Sequence, residues 1–135
     1  MFWRRDHPRR DISVWRRGER VAERHLRRKG MRVLARNLRL PHGEIDLLCL
    51  ERRTNTIVIV EVKSRLYDDL NTPGIDPSAS ITGKKRAKLV TLAKSIKKMP
   101  QHQTRAIRID VVTVRFGRDT QAPDVRHYPG CVSDS

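Results

Sequence analysis

The chain has 135 residues, which suits one domain around a modest core. Its 30 Lys and Arg against 15 Asp and Glu give a formal charge of +15 and a pI near 11.1. Only 4% of residues are aromatic, so the core should be aliphatic and base stacking a minor activity. No apolar run approaches the roughly 18 to 20 residues of a transmembrane helix. The first eleven residues lack the apolar segment of a secretory or twin-arginine signal. Cys49 and Cys131 are too few for a disulfide framework or a zinc site. A cytoplasmic protein with reduced thiols is expected.

The charge is uneven. Residues 1–36 hold 13 Lys and Arg and 4 Asp and Glu, a net of +9, and residues 83–98 are basic with no acid. Such fields attract polyanions through salt-sensitive phosphate contacts. Nucleic acid is the expected partner, DNA ahead of RNA. A membrane surface ranks last, because no basic amphipathic helix with large apolar residues is present.

In chain order, residues 1–11 read as a mobile basic tail, residues 12–116 as the folded domain and residues 117–135 as an extension with one short strand near Val125. The first helix should follow the tail, N-capped by Asp11 or Ser13 and stopped at Gly30. Trp15, Ala22 and Leu26 form a narrow apolar stripe with Trp15 as core anchor, and Glu19 falls on that same stripe. Residues 31–37 read as a strand and Pro41-His42-Gly43 as a turn. Residues 44–50 form the next strand, with Ile45, Leu47 and Cys49 on one face and Asp46 and Leu48 on the other. Residues 56–63 are apolar on both faces, the mark of a central, doubly covered strand. Residues 64–80 read as a long loop. Residues 81–99 read as a second helix with Leu89, Leu92, Ala93 and Ile96 inward, stopped by Pro100. Residues 106–116 read as another buried strand. The order αβββαβ fits an α/β fold, a mixed sheet flanked by helices.

Glu61-Val62-Lys63 is the chemical focus. Residues two apart on a strand share a face, so Glu61 and Lys63 project together from the end of the most apolar strand. A partly desolvated ion costs several kcal/mol unless it pairs or binds a metal. Asp46 lies on the preceding strand, and Glu19 on the helix that packs against the sheet. Three carboxylates and a lysine from separate elements are expected to converge. Glu19, Asp46 and Glu61 would suit Mg²⁺ or Mn²⁺, hard cations that take oxygen ligands and phosphate. Lys63 would orient or help deprotonate a water, or neutralise charge developing on phosphorus. A backbone phosphodiester also accounts for the basic surface. The structural alternative is a strand-end ion pair, with the other acids paired to bases.

The run Gly18-Glu19 with Ala22, then Arg36-Asn37-Leu38-Arg39 before Gly43-Glu44-Ile45-Asp46-Leu47, then Val60-Glu61-Val62-Lys63-Ser64-Arg65, Lys85-Arg86 and Arg108-Ile109-Asp110-Val111-Val112 resemble the YraN-like uncharacterised protein family. The resemblance covers about residues 16–115. It implies a minimal PD-(D/E)XK, restriction-endonuclease-like fold, close in outline to archaeal Holliday junction resolvases. It implies Glu19, Asp46, Glu61 and Lys63 as the metal and catalytic set, with nucleic acid as substrate. The ending His127-Tyr128-Pro129-Gly130-Cys131 departs from the family pattern.

Other residues carry open alternatives. Lys84, Lys85 and Arg86 either clamp phosphate or form a solvated helix start, and Arg65 either touches the scissile phosphate or is a surface arginine. Glu44 is expected at its strand start near solvent or a basic neighbour, or else as an alternative ligand, and Asp110 is expected to pair with a core arginine or to face the edge of the site. The five histidines, His7, His25, His42, His102 and His127, lack metal spacing. Two functions follow: a metal-dependent endonuclease acting on DNA, branched or damaged, or a non-catalytic nucleic-acid-binding module. A homodimer is compatible with either.

Overall fold

The computed structural model describes residues 9–71, 81–118 and 122–132. Five strands form one sheet in sequence order, with a helix on each face. The first helix, α1, spans Arg9–Arg28. It begins before both expected caps, so Asp11 is helical and does not cap; residues 1–8 of the expected tail lie outside the described residues. Gly30 ends it as expected. At φ +91° this residue takes a conformation that favours glycine, and its N–H reaches the Arg27 carbonyl at 3.0 Å.

β1 (Met31–Leu40) outruns its expected end by three residues and pairs antiparallel with β2 (Gly43–Glu51). β2 pairs antiparallel with β3 (Thr56–Tyr67). β3 continues four residues past Lys63 because its whole length pairs in parallel with β4 (Ala106–Gly117). The expected loop therefore starts later, and its residues 72–80 lie outside the described residues. α2 (Gly83–Lys97) makes the crossover; its N-cap is Thr82, whose hydroxyl accepts from the Lys85 N–H at 3.2 Å. A short 3₁₀ turn, Pro100–His102, follows it. The extension is a full fifth strand, not a short one: β5 (Asp124–Val132) pairs antiparallel with β4.

The sheet divides the core in two. Ala22 and Leu26 of α1 pack on Leu47, Cys49, Val58, Val60, Val62, Val112 and Val114. The four expected α2 residues pack on Ile45, Leu48, Ile57, Ile59, Ile109 and Val111. β3 is thus covered on both faces, and each fully buried Val or Ile there contributes on the order of 2 kcal/mol. Trp15 is half-buried, so Ala22 and Leu26 anchor α1 instead. The expected β2 alternation fails at one place: Ile45 packs with Leu48 on the α2 face, while Leu47 and Cys49 face α1. Asn37, at φ +49°, lies on β1 between the pairs Arg36↔Leu47 and Leu38↔Ile45, where the side-chain phase resets.

Candidate functional site

The β2–β3 ladder runs from Glu51↔Thr56 to Leu47↔Val60. One step further, the Val62 N–H donates to Asp46 Oδ2 at 2.8 Å. A carboxylate here takes a place that a backbone carbonyl fills elsewhere in the ladder. Asp46 is fully buried, held between the two strands where the phase of β2 resets. The alternation of β3 sends Val60 and Val62 toward α1, which puts Glu61 and Lys63 on the α2 face. Glu61 is only 2% exposed, and its Oε2 meets Lys85 Nζ at 2.6 Å. This ion pair joins the middle of β3, just past its ladder with β2, to the first turn of α2.

Lys63 is half-buried. Burial holds its ammonium below the ordinary lysine range; the Glu61 carboxylate opposes that shift, while Lys85 and Arg65 reinforce it. Lys63, Glu61, Lys85 and Arg65 therefore form one electrostatic neighbourhood. Arg65 and Lys84 are exposed, and Arg86 is half-buried. Lys88, one turn beyond Lys85, lies against the β1–β2 turn: a Cβ on Gly43 would sit 2.7 Å from its Cε.

Glu19 is buried at 8% exposure, on the α1 side of the sheet. Its neighbour Gly18 abuts β3 so closely that a Cβ there would lie 1.7 Å from Ser64 Oγ. The structure thus brings Asp46, Glu61 and Lys63 to the place where the β2–β3 ladder stops, in the middle of β3, and keeps Glu19 beside the same stretch of β3 on the other face. Among the described residues no three His, Cys, Asp or Glu side chains are grouped to hold a metal ion. Asp46 and Glu61 could hold a cation such as Mg²⁺, which needs only one or two protein carboxylates when phosphate and water supply the rest. The chemistry of this donor set, two buried carboxylates beside an amine, fits such an ion. Lys85 is the counterion that it would displace from Glu61.

Glu44 is buried, not near solvent as its place at a strand start suggested. Asp110 is paired as expected, and more extensively. Arg108 donates to it at 2.8 and 2.9 Å, the Gly130 N–H donates at 2.9 Å, and His127 Nε2 lies 2.7 Å away. Burial alone would raise its pKa, but His127, Arg108 and Gly130 together hold it below the ordinary aspartate value. The partnership of His127 was not read from sequence, since 17 residues and a strand turn separate it from Asp110. The Lys85–Glu61 pair was missed likewise; the one available signal was the placement of Lys85 and Lys88 one helical turn apart. Cys49 is buried and its thiol pushed up to about 12 by burial, so it is chemically inert.

No helix among the described residues is long and apolar enough to cross a membrane. The family model described as "Uncharacterised protein family UPF0102" matches residues 18–114. A UPF0102 protein of Mycobacterium avium (strain 104) is 40% identical over 119 residues, covering 88% of this chain and 89% of that one. A UPF0102 protein of Mycobacterium ulcerans (strain Agy99) is 35% identical over 113 residues, 84% of this chain and 88% of that one. Among solved structures, Pyrococcus furiosus SfsA in complex with Ca²⁺ aligns at a TM-score of 0.35 and 16% identity, over 83% of this chain and 61% of that one. A mixed five-stranded sheet flanked by helices agrees with the restriction-endonuclease-like outline that the motifs implied. With the motifs Gly43-Glu44-Ile45-Asp46-Leu47 and Val60-Glu61-Val62-Lys63 inside the matched span, the chain belongs to the uncharacterised protein family UPF0102.

Proposed function

We propose that this protein is a metal-dependent endonuclease that hydrolyses phosphodiester bonds in DNA, with branched or damaged DNA as the preferred form and the cytoplasm as its location. One observation carries the reading: Asp46, fixed by the Val62 N–H, lies where the β2–β3 ladder stops, beside the stretch of β3 that presents Glu61 and a half-buried Lys63. In this reading Asp46 and Glu61 hold Mg²⁺ or Mn²⁺, and Glu19 assists through water. The cation, when bound, polarises a phosphoryl oxygen and lowers the pKa of water. Lys63 exchanges a proton with the attacking water or neutralises charge growing on phosphorus; its lowered pKa favours the proton-handling role. Arg65, Lys84 and Arg86 grip flanking phosphates. Lys85 releases Glu61 to the cation and then faces the substrate.

Calorimetric titration with Mg²⁺ and Mn²⁺ in the presence of DNA tests the cation, with Asp46→Asn and Glu61→Gln expected to abolish binding. A panel of linear, flapped and four-way DNA tests turnover, with Lys63→Ala as the control that removes it. Absence of metal binding even with DNA defeats the enzyme reading.

A second reading is a nucleic-acid-binding module that retains the fold without turnover. The Lys85–Glu61 ion pair at 2.6 Å favours it, because a lysine already satisfies the carboxylate that a cation would need. Salt-sensitive DNA binding without cleavage on any of these substrates would select it. A homodimer is compatible with both readings.

A further inference from the structure

A cleft of about 730 Å³ opens at the end of the sheet away from Asp46, where α1 passes into β1 beside the β2–β3 turn. Its lining carries Arg27, Lys29, Arg32, Arg52 and Arg53 and no carboxylate. The five cations come from three elements: the end of α1, the start of β1, and the turn after β2. The register Met31↔Glu51 is what brings that turn alongside the α1–β1 junction.

The nearest acids are already committed. Glu51 receives Arg108 at 3.2 and 3.1 Å and the Thr54 hydroxyl at 2.6 Å. Glu23 receives Arg36 through two bonds of 2.7 Å and Arg27 at 2.9 Å. Among the described residues, no carboxylate ion pair is formed by Lys29, Arg32, Arg52 or Arg53. Arg32, Arg52 and Arg53 are exposed. With Arg27 paired to Glu23, the partial negative charge of about half a unit at the carbonyl end of α1 is too little to balance the other four cations. Gly30 lies in the same lining, and nothing stands within 4 Å of where its Cβ would be. Open floor and planar donors suit phosphate groups, which guanidinium forks bind bidentately.

We propose that this cleft binds the sugar-phosphate backbone of a nucleic acid, at a place separate from the candidate catalytic end. Six residue steps along β2 separate Asp46 from Arg52, roughly 20 Å at strand rise. A mononucleotide cannot reach both places, whereas a polymer of more than about six nucleotide steps can. The inference takes from the functional reading only that the polyanion is a nucleic acid; it does not require cleavage.

The test is fluorescence anisotropy of a labelled 20-base-pair DNA duplex with the full chain, in EDTA, across a series of NaCl concentrations. R52A/R53A should weaken binding at least tenfold relative to K94A/K98A, which removes the same charge from the last turn and C-cap of α2. It should also lower the salt slope by about 1 to 2, the loss of one or two phosphate contacts. Arg32→Ala reads the same cleft from β1 and should weaken binding in the same direction, so that damage to the turn alone cannot imitate the result. If R52A/R53A binds the duplex as well as K94A/K98A, the proposal is overturned. It is equally overturned if R52A/R53A loses only adhesion to phosphatidylserine vesicles, which would make the cleft a membrane contact. Cleft-dependent binding without cleavage by either metal leaves this inference standing and defeats the nuclease reading.

Discussion

Asp110 and Glu61 are both buried carboxylates on neighbouring parallel strands, yet they are compensated in different ways. Asp110 is held by a guanidinium from its own strand, and by an imidazole and a backbone N–H from β5. Arg108 passes the link on to Glu51 of β2, so the cluster ties three strands together. Glu61 instead shows one long lysine side chain from the first turn of a helix. A charge compensated by backbone and short rigid groups is built to stay; a charge compensated by a lysine at a sheet end is built to be exchanged. The contrast separates a structural staple from a reactive site better than burial does, since burial is nearly equal in the two.

Four experiments break or sharpen that contrast. The largest effect is expected from Asp110→Ala, which removes the one carboxylate that meets Arg108, His127 and the Gly130 N–H together. It should cost about 3 to 5 kcal/mol by urea denaturation and leave Mg²⁺ binding at Asp46 and Glu61 unchanged. If it costs less than 1 kcal/mol, the staple description fails. Gly18→Ala tests how the reactive end is assembled. Its new methyl group would collide with Ser64 and should cost about 1 to 3 kcal/mol; in Ser64→Gly the same change should cost much less.

Lys85→Ala leaves Glu61 without that counterion and should cost about 1 to 3 kcal/mol by thermal or urea unfolding. Added Mg²⁺ should recover part of this loss, whereas it should recover none in Asp110→Ala. Equal behaviour of the two variants would erase the distinction. The smallest effects are in pH. The folded Asp110 carboxyl sits below its unfolded value, so its contribution is present above about pH 4 and lost as pH falls through the folded pKa. The charged form of Lys63 is a cost rather than a gain: its folded pKa is depressed too, so stability again rises with pH, here as pH climbs from that value toward the unfolded one. Lys63→Met should remove this alkaline rise, and Asp110→Asn should flatten the acid limb.

The element order was legible because each element carries its own period or its own stop. β3 is apolar on both faces, and α2 repeats at helical spacing between Thr82 and Pro100. What depended on pairing between distant segments was not legible. Nothing local says that Ser64 to Tyr67 remain in a strand; their parallel partners on β4 decide it. The β2 phase reset stands opposite Asn37, a residue of another strand in a left-handed conformation, so alternation within β2 alone misplaced Ile45. At the site, Glu61 and Lys63 sharing a face follows from strand geometry. The placement of Lys85 on Glu61 does not, because a crossover of more than twenty residues separates them.

Among the described residues β5 has no neighbour on its outer side, and an unguarded outer strand invites a second chain to add on and propagate a fibril. Pro129 supplies no N–H there, and the residues from Pro129 to Cys131 bow away opposite Asp110, pinned by that one carboxylate. The far rim carries instead the exposed Arg32 and Arg39, whose like charges repel a docking copy. The protein keeps its sheet at five strands by a bend on one margin and a row of cations on the other.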